Sequence, residues 1–349
     1  KPVIILGGGA RISDAGEEAH EFSKKTGIPI ATSVAAYNLI PEDYELYIGV
    51  PGTYSRECTN RILSEADLFI FIGSSTGGQV THFWKIPEIG TKVIQIGIDP
   101  SDLGRNYPNE ISLLGDAKTT LQQILKENLT KLKIDDWREK STNIVNEWKA
   151  ELSKLRDSDS TPIRPERLMK ELSEVIPEDS IVASDTGHTA MWTVQNLWMN
   201  KKWNFIRCAG SLGWGFPAAI GAKCAFPDKN VFCLTGDGGL WYHFTELETA
   251  VRSDIPTITI VNNNNALNQE YDIFMNAYDG KPSNRWTEMW YFNKVSFAEL
   301  AKNMGAFGIR VTDPTDIKEA VKEAMKSKKP SIVEIDGDVN ALAPTAWSK

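Results

Sequence analysis

The strongest constraint on the fold is a glycine turn at residues 236–239 that contains one acidic residue, Asp237. The apolar run of residues 231–235 before the turn is typical of a buried strand, and a helical pattern follows the turn. Residues 257–261 form a second apolar run. Strand, turn, helix and strand make a βαβ unit, whose two parallel strands end at the same edge of the sheet. We therefore expect Asp237 to lie beside the Asn cluster at residues 262–265, which follows the second strand.

One carboxylate beside amide oxygens and glycines is suited to a magnesium ion that carries a diphosphate. Mg²⁺ takes about six oxygen ligands in an octahedron and often uses only one or two carboxylates. Asp237 would supply a single negative charge, while an Asn amide oxygen and a backbone carbonyl would add neutral ligands, because further carboxylates would repel the phosphates. Glycines allow backbone N–H groups to approach the anion. A short glycine motif alone is equally consistent with an ordinary turn, so the prediction depends on the whole arrangement.

The composition limits the kinds of protein that this chain can be. With 349 residues, 41% of them hydrophobic and 24% charged, the chain is long enough for two domains. The formal net charge of -8 argues against a nucleic-acid surface, so we expect no nucleic-acid partner. No apolar run reaches the length of a membrane span, so we expect no membrane association. The four cysteines show no Cys-x-x-Cys spacing and three lie in apolar segments typical of a core, which favours a reducing, cytoplasmic location.

Both halves of the chain alternate strand and helix patterns. The apolar runs of the first half are residues 3–6, 29–32, 68–72 and 93–98, and those of the second half include residues 181–183, 205–208 and 332–335. This alternation predicts two doubly wound α/β domains with parallel sheets. Phe244, Leu247 and Ala250 lie at helical spacing and predict a single helix that ends before Pro256.

A polar segment separates the two halves. From residue 129 onward the composition turns to Lys, Glu, Asp and Ser, with Trp137, Val145 and Trp148 at a helical spacing. We therefore predict a first domain at residues 1–128, a helical linker at 129–163 and a second domain at 164–349.

Three further glycine-containing turns follow strand patterns. Thr186-Gly187-His188-Thr189 opens a helix and would offer N–H and hydroxyl donors to an anion, although a capping or surface histidine is the simpler interpretation of His188 alone. Residues 209–213 precede a small-residue helix, which suits a close ligand and equally suits close helix–sheet packing. The turn at residues 7–9 lacks the spacing of the dinucleotide fingerprint, so a tight βα turn is favoured over a nicotinamide-dependent oxidoreductase.

The residues around Asp237 resemble the cofactor motif of thiamine diphosphate enzymes, most closely the acetolactate synthase-like family. The matching residues are Gly236-Asp237-Gly238, Glu246-Leu247, Thr249-Ala250, Pro256 and the terminal Asn pair. Residues 1–128 resemble the central domain of this family in residues 41–43, 96–100 and 115–117, so the resemblance covers nearly the whole chain. Some members bind FAD or an adenine nucleotide in that domain and carry an Arg where this chain has residues 74–78, Ser-Ser-Thr-Gly-Gly, so FAD is not expected.

The resemblance implies thiamine diphosphate and Mg²⁺ as cofactors. It implies that the metal is bound by Asp237, Asn264 and the carbonyl of Ala266, and four consecutive Asn leave Asn263 and Asn265 as alternatives to Asn264. The cofactor-binding residues that it implies are Thr186, Gly187, His188, Thr189, Gly210, Ser211, Leu212, Gly236, Asp237, Gly238, Gly239, Asn264, Ala266 and Leu267.

Three residues of this set are implied to act in the chemistry. Gly210 would offer its carbonyl to the amino group of the aminopyrimidine ring. Leu212 would hold the cofactor bent, so that an internal base lies against the thiazolium C–H. His188 would touch the diphosphate or face the reaction space. The catalytic Glu of the family belongs to a separate N-terminal pyrimidine-binding domain that these residues do not include, so we expect that domain or subunit as a partner and no activity without it.

The resemblance implies a transferase or lyase. The reaction expected first is decarboxylation of a 2-oxo acid followed by carboligation, as in acetolactate synthase. The alternatives are a benzoylformate-type decarboxylase and a 2-hydroxyacyl-CoA lyase, so the substrate would be a 2-oxo acid or an acyl-CoA. A non-catalytic cofactor-binding protein is a more distant alternative. A homodimer or homotetramer is the expected assembly.

Overall fold

The computed structural model describes residues 1–199, 202–344 and 346–347. They form two compact units. The first unit contains residues 1–152 together with 199, 346 and 347, and the second contains residues 153–198 and 202–344. The boundary falls within one helix of 22 residues, inside the segment that the sequence predicts as a helical linker.

A six-stranded parallel sheet forms the centre of the first unit. Its strands are β1 (Pro2–Leu6), β2 (Ile30–Thr32), β3 (Tyr47–Gly49), β4 (Leu68–Ile72), β5 (Lys92–Gly97) and β6 (Ile111–Leu114). The helices are α1 (Gly8–Ile12), α2 (Gly16–Thr26), α3 (Glu57–Leu63), α4 (Ala117–Lys126) and the boundary helix α5 (Asp135–Arg156). The strand order is β3-β2-β1-β4-β5-β6. On β1, Ile4 and Leu6 enter one core while Val3 and Ile5 enter another, which explains the unbroken apolar run.

The second unit repeats this architecture with a sheet of order β11-β12-β10-β9-β7-β8. Its strands are β7 (Ile181–Ser184), β8 (Asn204–Arg207), β9 (Val231–Gly236), β10 (Ile258–Asn263), β11 (Phe307–Val311) and β12 (Ser331–Asp336). Its helices are α6 (Pro165–Val175), α7 (His188–Asn196), α8 (Gly215–Ala225), α9 (Asp237–His243), α10 (Glu246–Arg252), α11 (Glu270–Ala277), α12 (Phe297–Asn303) and α13 (Ile317–Ser327). All strand pairs in both sheets are parallel, so the predicted fold class is confirmed.

The structure differs from the sequence-based expectation in several elements. The strands β3, β6 and β11 were not predicted, because β3 has three residues, β6 is largely exposed and β11 is interrupted by Gly308 and Arg310. The single helix predicted after the glycine turn is two helices, α9 and α10, which break at Phe244 where its ring packs edge-on against Phe297. Cys58 and Cys233 are buried, whereas Cys208 is partly exposed and Cys224 exposed, so only two thiols lie in a core.

No helix in the described part of the chain is both long and apolar enough to cross a membrane.

A buried carboxylate fixes the carboxyl end of β10. Glu334 on β12 is 0% exposed and accepts hydrogen bonds from Asn263 Nδ2 (2.8 Å), Ser296 Oγ (2.8 Å) and the backbone N–H of Ala298 (2.9 Å). Asn263 also donates to the carbonyl of Val295 at 3.0 Å. The second residue of the Asn cluster is therefore held from inside the sheet.

Removal of this carboxylate should destabilise the second unit. We expect Glu334→Ala to lower the free energy of unfolding by about 3 kcal/mol or more, because each buried donor left without an acceptor costs about 1–3 kcal/mol. Chemical denaturation, followed by hydrogen exchange of β10 peptides, measures this change. The exposed Glu323→Ala on α13 is the control and should stay within about 0.5 kcal/mol of the parent. Equal effects of the two substitutions would contradict the role given to Glu334.

Candidate functional site

Loops from four strands surround a cleft at the carboxyl edge of the second sheet. The strand order reverses between β7 and β9, and ligands of open α/β sheets bind outside the carboxyl ends of strands at such a point. The residues that line the cleft are Thr186, Gly187, His188, Thr189, Trp192, Leu212, Gly236, Asp237, Gly238, Gly239, Asn262, Asn264, Ala266, Leu267, Asn268, Gln269 and Glu270.

The predicted cofactor-binding residues line this cleft with two exceptions, Gly210 and Ser211. Both lie in the loop after β8 and are exposed. Gly210 has a φ of +73°, and no atom lies within 4 Å of the position that a Cβ would take. Glycine at this position is therefore favoured by the left-handed backbone and not by lack of space.

The predicted metal ligands converge on one backbone amide. The N–H of Ala266 donates to Asp237 Oδ2 (3.0 Å) and to Asn264 Oδ1 (3.2 Å). The parallel register pairs Asn262 on β10 with Gly236 on β9, so the two strands end level with each other. The carboxylate and the amide oxygen are brought together by the βαβ geometry that the sequence predicts.

The neighbouring asparagines are engaged differently. Asn263 is buried, its Nδ2 donates to Glu334, and its Oδ1 accepts from the N–H of Asn265 at 3.3 Å. Asn265 has a φ of 57°, and its carbonyl accepts from the N–H of Phe292 at 2.7 Å. Neither residue lines the cleft, whereas Asn264 does. The geometry favours Asn264 as the ligand, and the assignment stays a prediction.

Asp237 is a buried carboxylate at the start of α9. It is 2% exposed, and burial raises its pKa to about 7, although the N–H groups of Gly238 (2.9 Å) and Ala266 (3.0 Å) favour the charged form. A carboxylate so placed is unfavourable to the fold near neutral pH unless a cation compensates it. Such perturbed groups in clefts are characteristic of functional sites.

Three polar atoms of cleft-lining residues lack hydrogen-bond partners among the described residues. They are His188 Nδ1, Asn262 Oδ1 and Asn268 Oδ1, and all three atoms are buried. Burial lowers the pKa of His188 to about 4, so its imidazole is neutral at pH 7. Buried polar atoms without partners are unusual in proteins, and a polar ligand in the cleft would satisfy them.

Close packing holds the glycine turn against the loop after β10. A Cβ on Gly238 would lie 2.5 Å from Leu267 Cδ2. The same loop is fixed on its other side, because the N–H of Leu267 donates to the carbonyl of Trp290 at 2.8 Å and Ala266 forms an antiparallel bridge with Tyr291. Any side chain at residue 238 would require the side chain of Leu267 to move.

Sequence reasoning did not assign five of the lining residues to the site. They are Trp192, Asn262, Asn268, Gln269 and Glu270. Asn262 could have been found from strand alternation, because it lies two residues from Asn264 and shares its side of the chain. Trp192 could have been found because it is one helical turn from His188 and Thr189. Nothing in the local sequence separates the other three from ordinary loop residues.

The site contains a single acidic metal-ligand candidate supplemented by neutral oxygens. In residues 1–199, 202–344 and 346–347, no group of three or more His, Cys, Asp or Glu side chains could hold a metal ion. A protein site rich in carboxylates is therefore not observed there. A metal that also binds phosphate oxygens fits such a sparse set of ligands.

Comparison with known proteins agrees with this geometry. Residues 185–335 match the C-terminal TPP binding domain of thiamine pyrophosphate enzymes, and residues 1–124 match the central domain of these enzymes. Thiamine pyrophosphate is thiamine diphosphate under another name. Both matches agree with the family resemblance that the sequence motifs indicate.

Three curated relatives extend the comparison over nearly the whole chain. The "Probable acetolactate synthase large subunit" of Methanocaldococcus jannaschii is 34% identical over 96% of this chain and 57% of its own length. The "Acetolactate synthase large subunit" of Haemophilus influenzae is 29% identical over 97% of this chain and 59% of its own length. The "Acetolactate synthase large subunit" of Corynebacterium glutamicum is 30% identical over 96% of this chain and 54% of its own length. The chain thus spans less than two thirds of these relatives, and it belongs to the acetolactate synthase-like family of thiamine diphosphate enzymes, with their central and C-terminal domains.

Proposed function

We propose that this chain binds Mg²⁺ and thiamine diphosphate in the cleft and takes part in decarboxylation of a 2-oxo acid followed by carboligation, as in acetolactate synthase. The observation that carries the proposal is the convergence of Asp237 and Asn264 on the N–H of Ala266 beside a glycine turn. The names of the curated relatives support the reaction, and the two matched domains support the cofactor.

The residues of the cleft fit a magnesium diphosphate. Asp237 would supply one charged oxygen, Asn264 a neutral side-chain oxygen and Ala266 a backbone carbonyl, and phosphate oxygens would complete the octahedron. The first N–H groups of α7, at His188 and Thr189, have no acceptor within the helix and favour an anion. Since His188 is neutral, the metal would compensate most of the charge of the diphosphate.

When bound, thiamine diphosphate supplies the carbanion chemistry that breaks the bond between the carboxylate and the carbonyl carbon of a 2-oxo acid. The residues of this chain would anchor and orient it. Leu212, on the wall of the cleft, would support its bent shape. The carbonyl of Gly210, two residues earlier in the same loop, would accept a hydrogen bond from its amino group. The neutral imidazole of His188 can donate or accept one hydrogen bond at the reaction space without adding charge.

The proposal includes a partner domain and an assembly. A pyrimidine-binding domain or subunit would supply the Glu that protonates the aminopyrimidine ring, and the cleft would face it in a homodimer or homotetramer. The relatives are named large subunits, so a second, smaller type of subunit is a further partner in this proposal. The location proposed for the assembly is the cytoplasm.

Product analysis tests the reaction. We expect the chain together with its pyrimidine-binding domain to release CO₂ from pyruvate and to form a carboligation product, while the 349-residue chain alone gives no turnover. Simple aldehyde formation from phenylglyoxylate would indicate the decarboxylase, and cleavage of a 2-hydroxyacyl-CoA would indicate the lyase. Cofactor binding without any of these products would favour a non-catalytic binding protein. Turnover by the chain alone would contradict the assignment of the missing Glu.

Substitution of the proposed metal ligands tests the anchor. Asp237→Ala removes the charged ligand and should weaken thiamine diphosphate binding by on the order of a hundredfold. Asn264→Ala removes a neutral ligand and should cost less, while Asn263→Ala and Asn265→Ala distinguish the neighbouring asparagines. The measurement is calorimetric titration of thiamine diphosphate at several Mg²⁺ concentrations, and excess Mg²⁺ should partly restore both losses. Unchanged affinity and metal dependence in Asp237→Ala would refute the proposed site.

The raised pKa of Asp237 gives a pH dependence of stability in EDTA. Its pKa is about 7 in the folded chain against an ordinary 3.8, so the folded state binds more protons than the unfolded state between these values. This contribution to the free energy of unfolding is complete below the ordinary pKa and is lost as pH rises through about 7. From about pH 4 to about pH 8, the free energy of unfolding should therefore fall less in Asp237→Asn than in the parent. Thermal unfolding measures the difference, and the exposed Asp254→Asn is the control.

A parallel pH dependence in the parent and Asp237→Asn would show that the carboxylate of Asp237 does not titrate in this range.

A further inference from the structure

A buried carboxylate that the proposed function does not use contacts three segments of the cleft. Asp185 directly follows β7 and is 1% exposed. Its Oδ1 accepts hydrogen bonds from the N–H groups of Thr186 (2.7 Å) and Gly213 (3.0 Å), and its Oδ2 accepts from Thr235 Oγ1 (3.1 Å). Gly213 and Thr235 are 28 and 50 residues away along the chain, so these are tertiary contacts.

Each partner of Asp185 adjoins a residue of the proposed site. Gly213 directly follows Leu212, Thr235 directly precedes the glycine turn that contains the metal-ligand candidate, and Thr186 begins the turn into α7. One side chain therefore connects the loops after β7 and β8 to the end of β9. These are the loops that would hold the two ends of a bent cofactor.

Glycines enclose the carboxylate closely. A Cβ on Gly239, in the first turn of α9, would lie 2.7 Å from Asp185 Oδ2, and one on Gly215 would lie 3.0 Å from the backbone nitrogen of Asp185. Gly213 has a φ of +89°, which an L side chain rarely adopts. The position of Asp185 thus fixes where the loop before α8 and the start of α9 pass each other.

We propose that Asp185 is a positioning residue of the cofactor site, which sets the placement of Leu212 relative to Asp237 through Gly213 and Thr235. The inference rests on the proposed function for the identity of the ligand. It concerns geometry alone, since Asp185 does not itself line the cleft. A misplacement of about 1 Å between groups that hold a reacting molecule is enough to lower turnover on the order of a hundredfold.

Two substitutions separate the hydrogen bonds from mere occupancy of the space. In Asp185→Asn, Oδ1 can still accept from Thr186 and Gly213, and Nδ2 can donate to Thr235 Oγ1. The hydroxyl hydrogen of Thr235 then remains available for the carbonyl of Gly236, 3.0 Å away. Asp185→Ala removes every one of these contacts. Thr235→Val removes only the contact to the end of β9.

A matched control is available in the same unit. Glu171 on α6 is also buried, at 4% exposed, but its carboxylate pairs with Arg167 (2.7 Å) and Lys318 (3.2 Å). None of these residues lines the cleft. Glu171→Ala therefore tests the general effect of deleting a buried carboxylate from this unit.

The first measurement is amide hydrogen exchange of the full chain without cofactor. We expect exchange at residues 209–215 to rise about tenfold or more in Asp185→Ala, because the N–H of Gly213 loses its acceptor, and to stay near the parent in Asp185→Asn and Glu171→Ala. If Asp185→Ala does not fold, Thr235→Val should still increase exchange around residue 236. Exchange that is equal in the parent and in each folded Asp185 and Thr235 variant would overturn the inference whatever the cofactor is.

The second measurement separates positioning from structural support. In the chain with its pyrimidine-binding domain, Asp185→Ala should lower kcat on the order of a hundredfold while KM and the calorimetric Kd for thiamine diphosphate with Mg²⁺ change less than about tenfold. Asp185→Asn should recover most of the turnover. Equal losses of kcat in Asp185→Ala and Glu171→Ala would overturn this inference but would not affect the proposed function.

A parent chain that fails to bind thiamine diphosphate with Mg²⁺ would overturn the proposed function, and with it the cofactor assigned to this inference. Hydrogen exchange would still decide the role of Asp185 in joining the loops.

Discussion

The candidate site depends on the burial of one carboxylate, Asp237, where two parallel strands end side by side. Burial raises the pKa of this group to about 7, so the fold accepts an unfavourable charge at the edge of its sheet. Two backbone amides reduce this penalty, and one of them, from Ala266, also contacts Asn264. The N–H of Ala266 thus both stabilises the charged form of Asp237 and places its carboxylate beside the amide oxygen of Asn264, so that the two oxygens form a pair of candidate ligands.

Two other buried carboxylates, Glu334 and Asp185, fix the backbone around this pair of candidate ligands. Glu334 holds Asn263 and thereby the end of β10, while Asp185 connects the loops after β7 and β8 to the end of β9. Both are satisfied by several donors, as buried carboxylates must be. Asp237 is satisfied by fewer side-chain partners and lies open to the cleft. The difference separates groups that support the site from the one proposed to bind a ligand.

The sequence predicted the elements whose signals are local. The buried strands β1, β4 and β9 appear as unbroken apolar runs, because both faces of a parallel sheet are covered. The short β3 and the exposed β6 carry no such signal and were found only in the structure. The break between α9 and α10 was also missed, because no Gly or Pro marks it and Phe244 and Thr245 keep helical backbone angles.

The sequence by itself determined the fold class, the βαβ unit around Asp237 and the family, because turn residues, apolar runs and motif spacing are local properties. Only the tertiary structure decided which asparagines line the cleft, Asn262 and Asn264 but not Asn263 or Asn265, since four identical neighbours give no local signal that tells them apart. It also decided that Asp185 connects the loops after β7 and β8 to the end of β9. Contacts over 28 and 50 residues leave no local pattern in the sequence, because they arise only when the sheet brings the strand ends together.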